Sequence, residues 1–130
     1  MRRLLPATLA VIILVACCGC GAEPGTLGDL VSVKGKVTYK GQPLTSGVVH
    51  FEPDGYGRPA TGKLQPDGSY TLSTMKEGDG AVAGEHIVTI GGFDKPLASD
   101  RTLKKYGSRR DSHLTAEVDA DHAEFNFDLQ

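Results

Sequence analysis

From Leu30 onward the chain alternates apolar and polar residues with a period of two. Val31, Val33, Val37 and Tyr39 interleave with Ser32, Lys36, Thr38 and Lys40, the pattern of a strand with one face inward and one in water. Lys40-Gly41-Gln42-Pro43 reads as a turn, with Gly41 supplying a positive φ and Pro43 ending the ladder. A second strand runs from Gly47 to Glu52, carries Val49 and Phe51 on one face, and is closed by Pro53-Asp54-Gly55. Ala60 to Leu64 is a weaker third run. The hairpin signal Pro66-Asp67-Gly68 joins it to a fourth over Tyr70 to Thr74. Glu85 to Ile90, Leu114 to Val118 and Glu124 to Leu129 complete the set, the last with Phe125, Phe127 and Leu129 in phase. No stretch sustains a helical period over three turns. Seven short strands punctuated by Gly and Pro predict an all-β fold, a seven-stranded antiparallel β-sandwich.

One connection breaks this rhythm. Gly91 to His113 spans 23 residues, beyond the ~12–15 at which an unstructured loop in a compact domain becomes unusual. It holds Lys95, Arg101, Lys104, Lys105, Arg109 and Arg110 against Asp94, Asp100 and Asp111, a net +3 in an otherwise acidic chain. Two readings stand. In one, the loop is a solvated excursion that packs Leu97, Leu103 and Tyr106 back onto the sandwich. In the other it is an anion- or partner-binding patch, for which Lys104, Lys105, Tyr106, Arg109 and Arg110 are the candidate contacts.

The N-terminus reads as an address. Met1-Arg2-Arg3 is a short positive start, and Leu4 to Ala16 is an apolar run of 13 residues. A membrane span needs ~20 apolar residues, whereas a signal peptide's apolar region is about 7–15. Residues 1–16 are therefore expected to be a signal peptide. Leu14-Val15-Ala16-Cys17 resembles the bacterial lipobox, whose cysteine is acylated and becomes the mature N-terminus. That resemblance implies lipidation of Cys17 with several fatty acyl chains, palmitate among them, and multiple chains anchor stably where one does not. Cys18, directly after the anchor, is no acidic retention signal, which under the usual sorting rule points to the periplasmic face of the outer membrane. An ordinary signal peptide with incidental cysteines is the competing reading. Residues 17–29, rich in Gly and small residues, read as a flexible lipid-anchored tether, and residues 30–130 as the domain.

Composition narrows the function classes. With 130 residues there is room for one domain and none for a barrel or doubly wound enzyme. All 3 Cys lie within residues 17–20, so the domain holds no internal disulfide. Removing Arg2 and Arg3 with the signal leaves 12 basic against 16 acidic residues, a balance without the cationic footprint of a nucleic-acid binder.

The order of the motifs carries a family resemblance. Val33-Lys34-Gly35-Lys36-Val37, Gly41-Gln42-Pro43-Leu44, Asp67-Gly68-Ser69-Tyr70-Thr71-Leu72 and His86-Ile87-Val88-Thr89-Ile90 resemble carboxypeptidase-regulatory-like domains, which are transthyretin-like sandwiches. Together with the lipobox they are similar to small bacterial lipoproteins bearing one such domain. The chain departs from that pattern at Asp121-His122-Ala123, where a glycine and an asparagine are expected before the last strand. The resemblance implies a noncatalytic envelope module that is lipid-anchored to the membrane and makes structural or protein contacts, with a protein or the cell wall as partner. It implies neither cofactor nor nucleic acid.

Candidate chemistry is sparse. His50, His86, His113 and His122 show no metal-ligand spacing, and His50 and His86 converge only if their strands are neighbours. Asp119, Asp121 and Glu124 faintly imitate a calcium loop without its central glycine. Gly78-Asp79-Gly80 imitates a phosphate loop but precedes a strand rather than a helix. Ser112-His113 are sequence neighbours, which says nothing of triad geometry. The second functional reading is a small-ligand binder for a metal or a glycan, and for a glycan the absence of Trp is unfavourable.

Overall fold

The computed structural model describes residues 29–130, so the signal peptide, Cys17 and most of the tether lie outside the described residues. Ten strands are present among the described residues: β1 (Leu30–Val31), β2 (Lys34–Tyr39), β3 (Gln42–Pro43), β4 (Val48–Pro53), β5 (Ala60–Lys63), β6 (Ser69–Thr71), β7 (Ala81–Val82), β8 (Gly84–Gly91), β9 (Leu114–Val118) and β10 (Phe127–Leu129). Seven of them fall within or across the runs expected from the alternating pattern. β1, β3 and β7 are the additions, each a ladder of 2 residues and too short to carry a period. One sheet is ordered β5-β4-β8-β9, a second holds β10, β2, β3 and β6, and β1 pairs β7 separately.

The two larger sheets share one apolar core. β2, β6 and the residues flanking them send Val33, Val37, Tyr39, Tyr70 and Leu72 inward to meet Val49, Phe51, Val88, Ile90 and Val118. Phe51 sits at the centre, with the rings of Tyr70, His86, Phe125 and Phe127 within 6.4 Å of its own. The alternation of β2 and β4 is thus the direct cause of a core between sheets. The β2–β3 turn is a two-residue connection with Lys40 at φ 50° and Gly41 at φ 78°, as the turn chemistry requires.

Two expectations are corrected. β10 pairs β2 in parallel, Phe127 beside Val37 and Leu129 beside Tyr39, so the arrangement is not purely antiparallel. The cause is the turn at Asp119–His122: β9 ends there, and the chain crosses to the other sheet and descends in the direction of β2. The expected hairpin across Pro66-Asp67-Gly68 is instead a corner. Gly68 has the positive φ (81°), but β5 pairs β4 while β6 pairs β2, and a single bridge, Thr61 to Ser73, joins β5 to the chain beyond β6.

The registers give the domain two distinct ends. β4, β6 and β9 run toward the end where Asp29 enters; β2, β5, β8 and β10 run away from it. The entry end therefore collects β1, β7, the loops 54–59 and 72–80, and the turn at 119–122. The far end collects the β2–β3 turn, residues 64–68, and the segment leaving β8 at Gly91.

Candidate functional site

The excursion after β8 is ordered rather than open. It comprises a short 3-10 turn (Leu97–Ser99), one helical turn, α1 (Arg101–Lys104), and a second 3-10 turn (Lys105–Gly107). Asp100 starts α1 because its carboxylate accepts from the Thr102 amide at 2.8 Å, while its other oxygen accepts from the Tyr39 hydroxyl at 2.9 Å. The Tyr39 hydroxyl, then the Thr102 amide, hold the Asp100 carboxyl below its ordinary range. Leu103 is fully buried against the core, and the buried Tyr106 donates its hydroxyl to the Gln130 carbonyl at 3.1 Å. Leu97 is half-buried against the same core.

This anchoring divides the candidate contacts. Lys104, Lys105 and Arg110 are exposed and form no ion pair among the described residues. Lys105 lies with its ammonium 4.9 Å from the Tyr106 ring centroid. Tyr106, a candidate contact in one reading and a core residue in the other, faces the core at 7% exposure and offers a partner no ring face. Arg109 turns back along β4 to pair with Glu52, with Asp54 at 4.0 Å, so part of its charge is already answered.

A concavity lies where β5 and β6 meet: an open groove of about 880 Å³ edged by Lys34, Lys36 and Lys63 and also by Glu77 and Glu124. Three ammonium groups against two carboxylates leave it close to electrical balance. Its floor is tight, since a Cβ at Gly62 would stand 2.6 Å from the Thr71 carbonyl oxygen.

The histidines do not assemble. β4 and β8 are neighbours, but His50 is opposite Thr89 and exposed, while His86 is opposite Pro53 and 1% exposed, so the two rings project from opposite faces. Among the described residues no group of three His, Cys, Asp or Glu is placed to hold a metal. His86 Nδ1 lies 3.0 Å from the Gly84 carbonyl oxygen, its Nε2 has no partner, and burial pushes its pKa down. Asp119 is occupied by its own turn, accepting from the Asp121 and His122 amides at 2.8 and 2.7 Å and lying 3.0 Å from the His122 ring nitrogen. That pairing lowers the Asp119 pKa and raises that of His122. The phosphate-loop imitation is filled from within, because Asp79 accepts from the amides of Thr74, Met75 and Lys76 at 2.6, 2.9 and 2.8 Å. Ser112 Oγ is buried without a partner and His113 is exposed, so these neighbours form no nucleophile–base pair.

Two side chains that the alternating pattern passes over stand out in the structure. Tyr56 and Met75 are the large hydrophobic residues left exposed among the described residues. The signal was present for the first, an aromatic between two glycines in Gly55-Tyr56-Gly57. Compared with known proteins, the chain matches no family model, no curated protein and no solved structure.

Proposed function

We propose that this chain is a noncatalytic cell-envelope module, held to a bacterial membrane by lipid on Cys17, whose transthyretin-like sandwich of the carboxypeptidase-regulatory-like kind presents a basic face to an acidic protein or wall partner. The observation that carries the reading is the polarity of the domain. β1, into which residues 17–29 lead, lies at one end, and Lys104 and Lys105 stand exposed at the other, fixed by buried Leu103 and Tyr106. Lysines held on a pinned turn lose less freedom on binding than lysines on an open loop. Complementary charge at such a face chiefly steers association and selects the partner.

Crosslinking in native membranes, followed by mass spectrometry of what co-purifies, tests this. One stoichiometric partner is expected, and it is lost when Lys104, Lys105, Arg109 and Arg110 are changed to Ser. A partner retained by that variant, or none at all, overturns the reading. Cys17→Ala is expected to release the protein from membranes or to leave its precursor unprocessed; unchanged mature mass and membrane retention would sink the anchor.

A further inference from the structure

We propose that the entry end of the domain docks on the phospholipid bilayer itself, with Tyr56 and Met75 seated at the headgroup boundary; this deepens the lipid-anchor reading and rests on it. Both large hydrophobic residues left exposed among the described residues are at that end. Tyr56 lies in the β4–β5 loop and is fully exposed, and Met75, in the loop between β6 and β7, is 62% exposed. The bridge from Thr61 to Ser73 sets the two loops side by side. The loop of Tyr56 also abuts β7, since a Cβ on Gly57 would come within 3.1 Å of a Val82 methyl, and Val82 pairs Leu30 of β1. The chain that leads to Cys17 thus enters the domain between these tips.

The tips are built to stay exposed. Gly55 and Gly57 flank Tyr56 at φ 142° and 143°, a backbone shape that carries the ring away from the sheets. Met75 is held out by the same Asp79 carboxylate that ties the amides of residues 74 to 76, with Gly78 N–H donating to Ser73 Oγ at 2.8 Å. A loop this well bonded that leaves its largest apolar side chain in water is preorganised for a contact. A cation follows each tip, Arg58 after Tyr56 and Lys76 after Met75. Tyrosine at headgroup depth with Lys or Arg reaching phosphate is the chemistry of a bilayer interface.

The remaining charges select the kind of surface. Asp79 is spent on its amides, Asp119 on its own turn, and Asp54 lies 4.0 Å from Arg109, but Asp29, Glu77, Glu85 and Asp121 are exposed at this end without an ion pair among the described residues. Against Arg58 and Lys76 this leaves the end net acidic, which suits zwitterionic headgroups and disfavours an anionic surface. From Cys17 to Asp29 the chain takes 12 residue steps, at most about 40 Å when extended, so the tips reach the surface that holds the lipid.

The chain has no Trp, so a single introduced indole reports its own surroundings. Full lipidated protein carrying Tyr56→Trp is reconstituted in phosphatidylethanolamine–phosphatidylcholine vesicles with brominated acyl chains. Met75→Trp serves as the second tip, and Gln42→Trp, exposed at the far end, as the comparison. Blue-shifted emission and bromine quenching at positions 56 and 75 but not at 42 is the expected result. Flotation with the vesicles and no quenching at either tip overturns docking and leaves the anchor standing. Equal quenching at all three positions overturns an oriented dock. Failure to float overturns the anchor reading, and the docking with it.

Discussion

Gly35→Ala tests whether the last strand is held against β2 where the structure says it is. Gly35 lies in β2 opposite Tyr70, and its φ is outside the left-handed region, so alanine meets no backbone penalty there. The cost is steric. A Cβ at this position would overlap the Phe125 carbonyl oxygen and lie 2.8 Å from the Tyr70 hydroxyl, where real Cβ atoms essentially never come within 3.0 Å. The Phe125 oxygen is the acceptor for the buried Tyr70 hydroxyl at 2.6 Å, and the Phe125 amide donates to the Lys34 carbonyl at 3.0 Å. Making room therefore pushes the last strand off β2. Losing the Tyr70 bond leaves a buried polar group unmet at about 1–3 kcal/mol, and loosening fully buried Leu129 costs about 1.5–3 more. The total, about 2.5–6 kcal/mol, is a large share of the ~5–15 kcal/mol of a domain. Gly41→Ala is the control: at φ 78° with nothing within 4 Å, it costs only the left-handed backbone, about 1–2 kcal/mol. Urea unfolding followed by circular dichroism ranks the two. A Gly35→Ala midpoint equal to or above that of Gly41→Ala would refute the steric account.

Leu103→Ala removes the fully buried side chain that pins the excursion and should cost about 2–5 kcal/mol, seen as a lower thermal midpoint; a surface loop would lose almost nothing. Arg109→Ala breaks a half-exposed ion pair with Glu52 and is expected to shift stability by less than about 1 kcal/mol, less still at high salt; a larger loss would mean the arginine holds the excursion in place. His86 is buried with its pKa depressed, so the unfolded chain binds a proton first as pH falls. Stability is then full above the ordinary value of 6.5 and declines as pH drops from there toward the lower folded value, and urea midpoints of His86→Phe should show no decline in that window.

Most of the strands were legible because alternation is a local signal: β2, β4, β8 and β9 each bury every second side chain. Their partners were not. Nothing local to Phe127–Leu129 says that it lies parallel to β2, because direction depends on which sheet the chain rejoins after Asp119–His122. Pro66-Asp67-Gly68 shows the same limit, since its turn is the one foreseen, yet the flanking strands part into different sheets. Lys104 and Lys105 were readable as exposed cations, while Tyr106 stood as core in one reading and as contact in the other, because a three-residue 3-10 turn is too short to show its phase. Glycine-flanked Tyr56 does not stand out in the sequence, because an isolated exposed aromatic is ordinary until the registers place exposed Met75 beside it.

The two proposed contacts bear on each other through distance. β8 runs the length of its sheet in 8 residues, about 27 Å at ~3.4 Å each, and joins the entry end to the base of the excursion. With the tips on the bilayer, Lys104 and Lys105 stand several Debye lengths from its surface at the ~8 Å of physiological salt. Lipid charge then neither attracts nor occupies them, and they remain open to an acidic macromolecule. The tether does not impose this orientation, since its ~40 Å reach also lets the domain turn over and lay its lysines on anionic headgroups. Tyr56 and Met75 are what favour the upright pose. Replacing both with Ser should therefore release the orientation, and capture of the acidic partner should fall although every lysine is intact. Unchanged capture by that variant would separate the two ends and show that the basic face finds its partner without help from the bilayer.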